Sequence, residues 1–436
     1  MKDVIYMGKK KCKYYNGTRL PKCGRRGKPI VRKRPTAFRL PSFVFIILVA
    51  AALFFALRPG AVALAAGNDN EDAEKQLEDT VHEQLDNLNL SELDELIARL
   101  TADDAQLFGG ATFREKVKSV LNGDFKLGYD SFFSAALNLL FGNLRDFIPL
   151  LAAVVAVALL YGILYNARAD TGSAGTSKII RFACMSVIVV IVMAAVTEVV
   201  VMTRGALNAM RAQMNVAFPV LLTLVTALGA NASAAVYQPA SVVLAQIVAG
   251  AMAGVVLPFF LFTLVLDVVG GLTGGARLTK ASSFFSSLNK WIIGVVFTVF
   301  TAFLSIQGIT AGAHDGISIR TAKYAISRYV PLIGGYISDG FSLLAAGTVL
   351  IKNAVGFSCV LLLFISVLKP VVAIAVVILG LRLTAAIVEP AADKAVADFL
   401  SATAKNLTML IVMLLATGFM YFIMLLLVIS TGNIVF

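Results

Sequence analysis

Apolar residues in this chain gather in long unbroken blocks rather than short alternating runs. The blocks cover 147–165, 179–202, 241–269, 291–309, 354–387 and 407–430, the fifth interrupted at Pro370. A helix needs about 20 apolar residues to cross a bilayer. Barrel strands would alternate polar and apolar positions instead. The pattern therefore predicts an all-α, polytopic helical membrane protein with about 6–8 membrane helices, and the membrane domain runs over 147–436.

An earlier block, FVFIILVAAALFFAL at 43–57, follows a basic tail and precedes Ala63-Leu64-Ala65, a small-x-small pattern with cutting before Ala66. Residues 1–66 thus read as a basic n-region and signal peptide. The tail is long for a signal peptide, so Met7 as the start, or an uncleaved anchor, are the alternatives.

Polar patterning dominates from 67 to 146. Residues 69–104 carry 13 Asp and Glu against Lys75 and Arg99. Leu77, Val81, Leu85 and Leu88 fall at helical spacing and predict an amphipathic helix over 73–89. SELD at 91–94 has the form of a capping box, with Leu93, Leu96, Ile97 and Leu100 on one face of the next helix. Residues 67–112 are thus an acidic, extracytoplasmic helical segment, either packed on itself or docking a basic partner. Residues 113–146 are aromatic-rich and amphipathic, as a helix lying in the interface would be.

Lys178 and Lys290, Arg211 and Lys323, Pro219 and Pro331, and Pro258 and Pro370 are all offset by 112 residues. This spacing is either chance or a tandem repeat over 178–268 and 290–380. A repeat would place short Pro-led segments, 218–230 and 331–350, at matching positions, a pattern that points to a pore or binding site in transporters; with the three loops that follow placed in the cytoplasm, these segments would be re-entrant or interfacial. The loops 166–178, 270–290 and 382–406 carry Lys and Arg and so belong in the cytoplasm. That topology puts Arg204, Arg211, Arg320, Lys323 and Arg328 outside; spanning short segments are the alternative.

Composition agrees with the blocks: mean hydropathy is +0.83 and 15% of residues are charged. The net charge of +12 comes from residues 1–40, which hold 14 of the 38 Lys and Arg and one acid, Asp3. Lying directly before an apolar block, the tail reads as positive-inside and no nucleic-acid partner is expected. The four cysteines, Cys12, Cys23, Cys184 and Cys359, fit no zinc or disulfide spacing. The chain lacks HExxH, Walker A and dinucleotide glycine motifs. Asp267 and Asp339 make a poor aspartyl pair. No enzyme activity, cofactor, metal site or catalytic residue is expected. Glu198 and Asp267 are the acids inside apolar blocks; each either lines a path or reaches the interface from near a helix end.

The stretch SIQGITAGAHDGISIRTAK at 305–323, followed by YVPLIGGYISDGFSLLAAGTVLIKNAVG, resembles the core of the stage III sporulation protein AE family. The resemblance also takes in LEDTVHEQLDNLNLSELDELI and LVISTGNIVF, nearly the whole chain beyond about residue 40. Its most specific positions are Ser305, Gln307, Gly308, Asp315, Gly316, Arg320, Thr321, Ala322, Lys323, Lys352 and Asn353, with Pro331 nearby. The resemblance implies a non-enzymatic subunit of a secretion-like channel complex in the mother-cell membrane around the forespore. Its partners would be other membrane and ring-forming subunits of the same operon, including a secretion-type ATPase. It carries over no catalytic residue. The motif itself reads as a structural joint at the membrane surface, Asp315 pairing with Arg320, or as a loop touching substrate. A secondary transporter or permease of a small solute is the alternative function.

Overall fold

Each apolar block becomes a helix or part of one. The computed structural model describes residues 79–86, 88, 90–98, 112–122, 142, 145, 147–163, 174–228, 231–273, 278–311, 334–390 and 394–431. They form helices α1 (79–86), α2 (Ser91–Ala98), α3 (Phe113–Leu121), α4 (Phe147–Ile163), α5 (Ala174–Ala227), α6 (Asn231–Ala251), α7 (Leu257–Thr273), α8 (Thr279–Ala311), α9 (Gly334–Val388) and α10 (Lys394–Ser430). A π turn, Met252–Val256, joins α6 to α7. No strand occurs among the described residues, all of which fall in one compact unit, Ala61–Phe436. Five stretches are long and apolar enough to cross a membrane: Ile179–Ala227, Pro239–Leu272, Lys280–Ser305, Leu343–Val388 and Lys394–Ser430. The signal segment lies outside the described residues.

Helix α10 is the core of the bundle, with both α5 and α9 packed along it. Glycines set the closest approaches. A Cβ at Gly356 would run into Ile429, and one at Gly418 would lie 2.9 Å from Val367 Cγ2. These two crossings make α9 and α10 antiparallel. Met210 and Val367 both lie near Gly418, while Met185 and Phe399 both lie near Gly271. Helix α5 therefore runs parallel to α10.

Two expectations are corrected here. Residues 218–227 are not a separate re-entrant segment but the end of α5, and 334–350 open α9. Arg204 and Arg211 accordingly lie inside a helix and not in a surface stretch. The physical reason is local: 203–217 are mostly good helix formers, and Leu207, Met210, Met214 and Ala217 bury one face. Pro219 gives up one amide bond yet sits on the exposed side. Of the equal-offset prolines, Pro258 follows the π turn whereas Pro370 lies within the continuous α9. At about 1.5 Å per residue, α5 and α9 are each about 80 Å long, more than twice the roughly 30 Å hydrocarbon core.

The acidic segment folds onto the bundle. Val81, Leu85, Leu90 and Leu93 are buried, and α2 and α3 pack on α5 and α9 respectively. Thr348 Oγ1 of α9 donates to Gln84 Oε1 at 3.2 Å. Arg114 ties α3 to α1: Nη1 donates to Leu85 O (3.0 Å) and Asp86 Oδ1 (3.2 Å), and Nη2 to Leu88 O (3.1 Å). The capping box forms at Thr112–Glu115. Asp94, expected in a box with Ser91, instead accepts from Phe113 N–H at 2.8 Å. The Lys118 ammonium, 3.3 Å from Asp86 Oδ1, holds the Asp86 carboxyl below the usual carboxylate range, helped by Arg114.

Candidate functional site

Polar groups inside an apolar bundle are costly unless paired, so their partners show where the fold is fixed and where it is open. Lys352 is wholly buried, and its Nζ donates to Thr431 O at 2.5 Å. That carbonyl lies just past the end of α10, where carbonyls lack intrahelical partners and the helix dipole is negative. The neighbouring Asn353 Oδ1 is buried without a hydrogen-bond partner among the described residues.

Asn289 of α8 closes the π turn. Its amide nitrogen reaches Val256 O at 3.3 Å and its oxygen accepts from Phe260 N–H at 3.1 Å. Val256 and Phe260 would be one i→i−4 bond in a regular helix. Pro258, between them, opens that ladder by lacking an amide hydrogen and crowding the preceding turn. Gln213 Nε2 donates to Cys359 O at 2.6 Å, tying α5 to α9. Asp267 accepts from Asn406 Nδ2, a partner on α10.

One polar group of side chains is closed, among the described residues, only at its Asn215 end. Thr197, Arg204, Asn208, Arg211 and Asn215 follow one another on α5 at steps of 7, 4, 3 and 4 residues, so they share a face. All five are exposed, as is Glu198, about 100° round the helix from the stripe's centre. The stripe is about 27 Å long, close to the hydrocarbon thickness of about 30 Å. Asn215 Oδ1 accepts from Gln246 Nε2 of α6 at 3.0 Å, and Gln246 Oε1 is buried with no partner among the described residues.

The depth of the stripe follows from the α5–α6 hairpin. Phe218 shares a small cavity with Ser241 and Leu244. Carried along the antiparallel register from Asn215–Gln246, Arg211 lies level with about residue 250 and Arg204 with about residue 257. Exposed apolar side chains of α6 and α7 run from Val242 to Val269. On α5 itself the exposed apolar side chains run from Ile179 to Val201, so Arg204 sits just past the end of that run, with Arg211 about 10 Å further along the axis. Among the described residues, neither Arg204 nor Arg211 has an ion pair or hydrogen bond.

Of the sequence motif, Ser305 lies on α8, its Oγ donating to Thr301 O at 2.9 Å. Gln307 and Gly308 fall in the last turns of α8. Asp315, Gly316, Arg320, Thr321, Ala322, Lys323 and Pro331 lie outside the described residues, as does the proposed joint. Lys352 and Asn353 sit far from the stripe in sequence, and Lys352 binds the C-terminal end of α10 instead. Among the described residues no three His, Cys, Asp or Glu side chains come together in a metal-binding cluster.

Comparison with known proteins follows from this bundle. The model of the stage III sporulation protein AE family matches residues 111–432. The match begins beside Thr112, so the acidic helices α1 and α2 precede it. The stage III sporulation protein AE of Bacillus subtilis (strain 168) is 24% identical over 314 residues, covering 72% of this chain and 79% of that protein. No solved structure matches. With about three quarters of its length matched by the family model, this chain belongs to the stage III sporulation protein AE family.

Proposed function

We propose that this membrane protein is a non-catalytic subunit of a secretion-like channel complex joining mother cell and forespore, seated in the mother-cell membrane around the forespore. Family membership supports the sporulation role. The observation that carries the subunit reading is the platform α1–α3, held together by Arg114 and fastened to the bundle by Thr348 and the packing of α2 on α5 and α3 on α9.

The bundle's two ends differ in charge. Gly271 lies near both Met185 and Phe399, which gathers the helix ends bordering the basic stretches 166–178 and 270–290 and the balanced stretch 382–406 on one side. By the positive-inside bias that side faces the mother-cell cytoplasm, where a secretion-type ATPase would dock. Thr348 and the C-terminal end of α10 mark the opposite side, so the acidic platform faces the intermembrane space and its ring-forming partners.

The test is capture of the tagged chain from sporulating cells in mild detergent. The ATPase and ring-forming subunits of its operon should come with it, and loss of the gene should halt spore development. Recovery of the chain without those subunits, together with solute uptake by the chain alone, would overturn this in favour of a transporter.

A further inference from the structure

We propose that Arg211 and Gln246 hold the headgroup of a bound anionic phospholipid, its phosphate on the guanidinium and a headgroup hydroxyl on the amide oxygen, with its tails along α6 and α7. The site needs only this chain and a bilayer, so it stands whether or not the chain is a channel subunit.

The level comes first. Exposed apolar side chains of α5 end at Val201, and Arg204, Asn208 and Arg211 follow on exposed positions. That face of α5 passes there from hydrocarbon to the layer where lipid phosphates lie. Adjacency comes next. Arg211 is close enough to the Tyr421 hydroxyl for its charge to act there, and that hydroxyl donates to Ala245 O at 2.9 Å. Arg211 therefore stands beside the turn of α6 that carries Gln246. The surface beside them is open. A Cβ at Gly250 or Gly254 would meet nothing within 4 Å. Val243 and Ile247 are exposed on the same face, which continues on α7 through exposed Phe262 and Val265. From Gly254 to Val265 is about 16 Å, about one leaflet of a roughly 30 Å core. Finally, one acceptor lacks a donor. Gln246 Nε2 is taken up by Asn215, whereas Gln246 Oε1 is buried with no partner among the described residues. A buried acceptor calls for a donor, and a guanidinium calls for an anion that accepts its forked donors. Glu198, the exposed acid of this part of α5, is about 20 Å from Arg211 along the axis and does not neutralise it. A phosphodiester bearing headgroup hydroxyls supplies the anion, the donor and the apolar tails in one molecule.

The test uses the full chain purified in mild detergent, with lipid retention read by native mass spectrometry and folding by thermal melting. The probes are phosphatidylglycerol, phosphatidylmethanol, phosphatidylcholine and inorganic phosphate. Phosphatidylmethanol keeps the anionic phosphate but has no headgroup hydroxyl. Phosphatidylglycerol should bind most tightly, then phosphatidylmethanol, then phosphatidylcholine, whose choline cation is repelled by the arginines. Arg211→Gln should weaken phosphatidylglycerol about tenfold, as loss of a charge-assisted hydrogen bond does. Gln246→Met should erase the difference between phosphatidylglycerol and phosphatidylmethanol. Gly250→Leu places its side chain in open space, so it should leave lipid-free melting unchanged while weakening all three lipids. Equal binding of phosphatidylglycerol by wild type and Arg211→Gln would overturn the phosphate site. Equal binding of phosphatidylglycerol and phosphatidylmethanol by wild type would overturn the role of Gln246. Inorganic phosphate raising the melting temperature as much as lipid would overturn the tail groove. A photocrosslinker at Ile247 that captures protein and no lipid in sporulating-cell membranes would replace the lipid with a partner helix.

Discussion

Lys352 Nζ donates to the Thr431 carbonyl oxygen at 2.5 Å, fastening the first third of α9 to the end of α10 across 79 residues of sequence. The bond uses a charge to close a helix terminus that would otherwise leave carbonyls bare. It also explains why a lysine is buried in an apolar helix.

Removing that link should loosen the C-terminal end of the bundle. Lys352→Ala leaves the carbonyl unpaired and a cavity behind, at a cost of about 2–5 kcal/mol. Lys352→Met keeps most of the volume and removes the charge, so it should lose less. Thermal melting of the detergent-solubilised protein measures both. Equal melting of wild type and Lys352→Ala would show that the link contributes nothing to stability.

The Asn289 bridge gives a coupled pair. Asn289→Ala strands Val256 O and Phe260 N–H in apolar surroundings, at about 1–3 kcal/mol for each unpaired group. Pro258→Ala restores an amide hydrogen and removes the ring, allowing the helix to close its own bond. In that background Asn289→Ala should cost less. A double-mutant cycle on melting curves reads the difference, and strict additivity would dissociate the asparagine from the proline.

How much of this was legible beforehand differs from element to element. All six apolar blocks became helices, because block length and apolarity are properties of the residues themselves. The stripe escapes a block boundary at residue 202, since all of it but Thr197 lies beyond that point. Arg204, Arg211 and Pro219 then read as surface markers, whereas packing of Leu207, Met210 and Met214 carries the helix through. The spacing of Thr197, Arg204, Asn208, Arg211 and Asn215 was visible in the sequence and would have been found had periodicity been followed past the first charge. Asp94 shows the opposite limit. Its role as acceptor for Phe113 N–H depends on tertiary contact, which no local motif encodes.

The platform should be sensitive to acid through Asp86. Its folded pKa is depressed, first by the Lys118 hydrogen bond and charge and then by Arg114. The sign follows: this contribution is fully present above the ordinary carboxylate pKa and is lost as pH falls through the lower folded value. Asp86→Asn should therefore flatten the acid limb of platform stability, read as protease protection of 79–121 between neutral pH and about pH 3. Because the pair is exposed, added salt should shrink the same effect. An unchanged acid limb in Asp86→Asn would remove the ion pair from the account.

The orientation of the bundle is open to direct labelling, and burial decides where the probe goes. Ser282, in the basic loop region, is only 5% exposed, so a cysteine there could stay silent merely because it is packed. Lys280, two residues earlier, is exposed and lies at the same end. Ser91, exposed on α2, serves for the opposite end. In vegetative cells expressing a cysteine-depleted chain, the outer membrane face is open to an impermeant maleimide. Ser91→Cys should be labelled in intact cells, and Lys280→Cys only after permeabilisation. The Lys and Arg of the loops set this orientation, which leaves the acidic platform outside. Labelling of Lys280→Cys in intact cells would invert the bundle. It would place the platform in the cytoplasm and remove the docking geometry from which the channel-subunit reading was drawn.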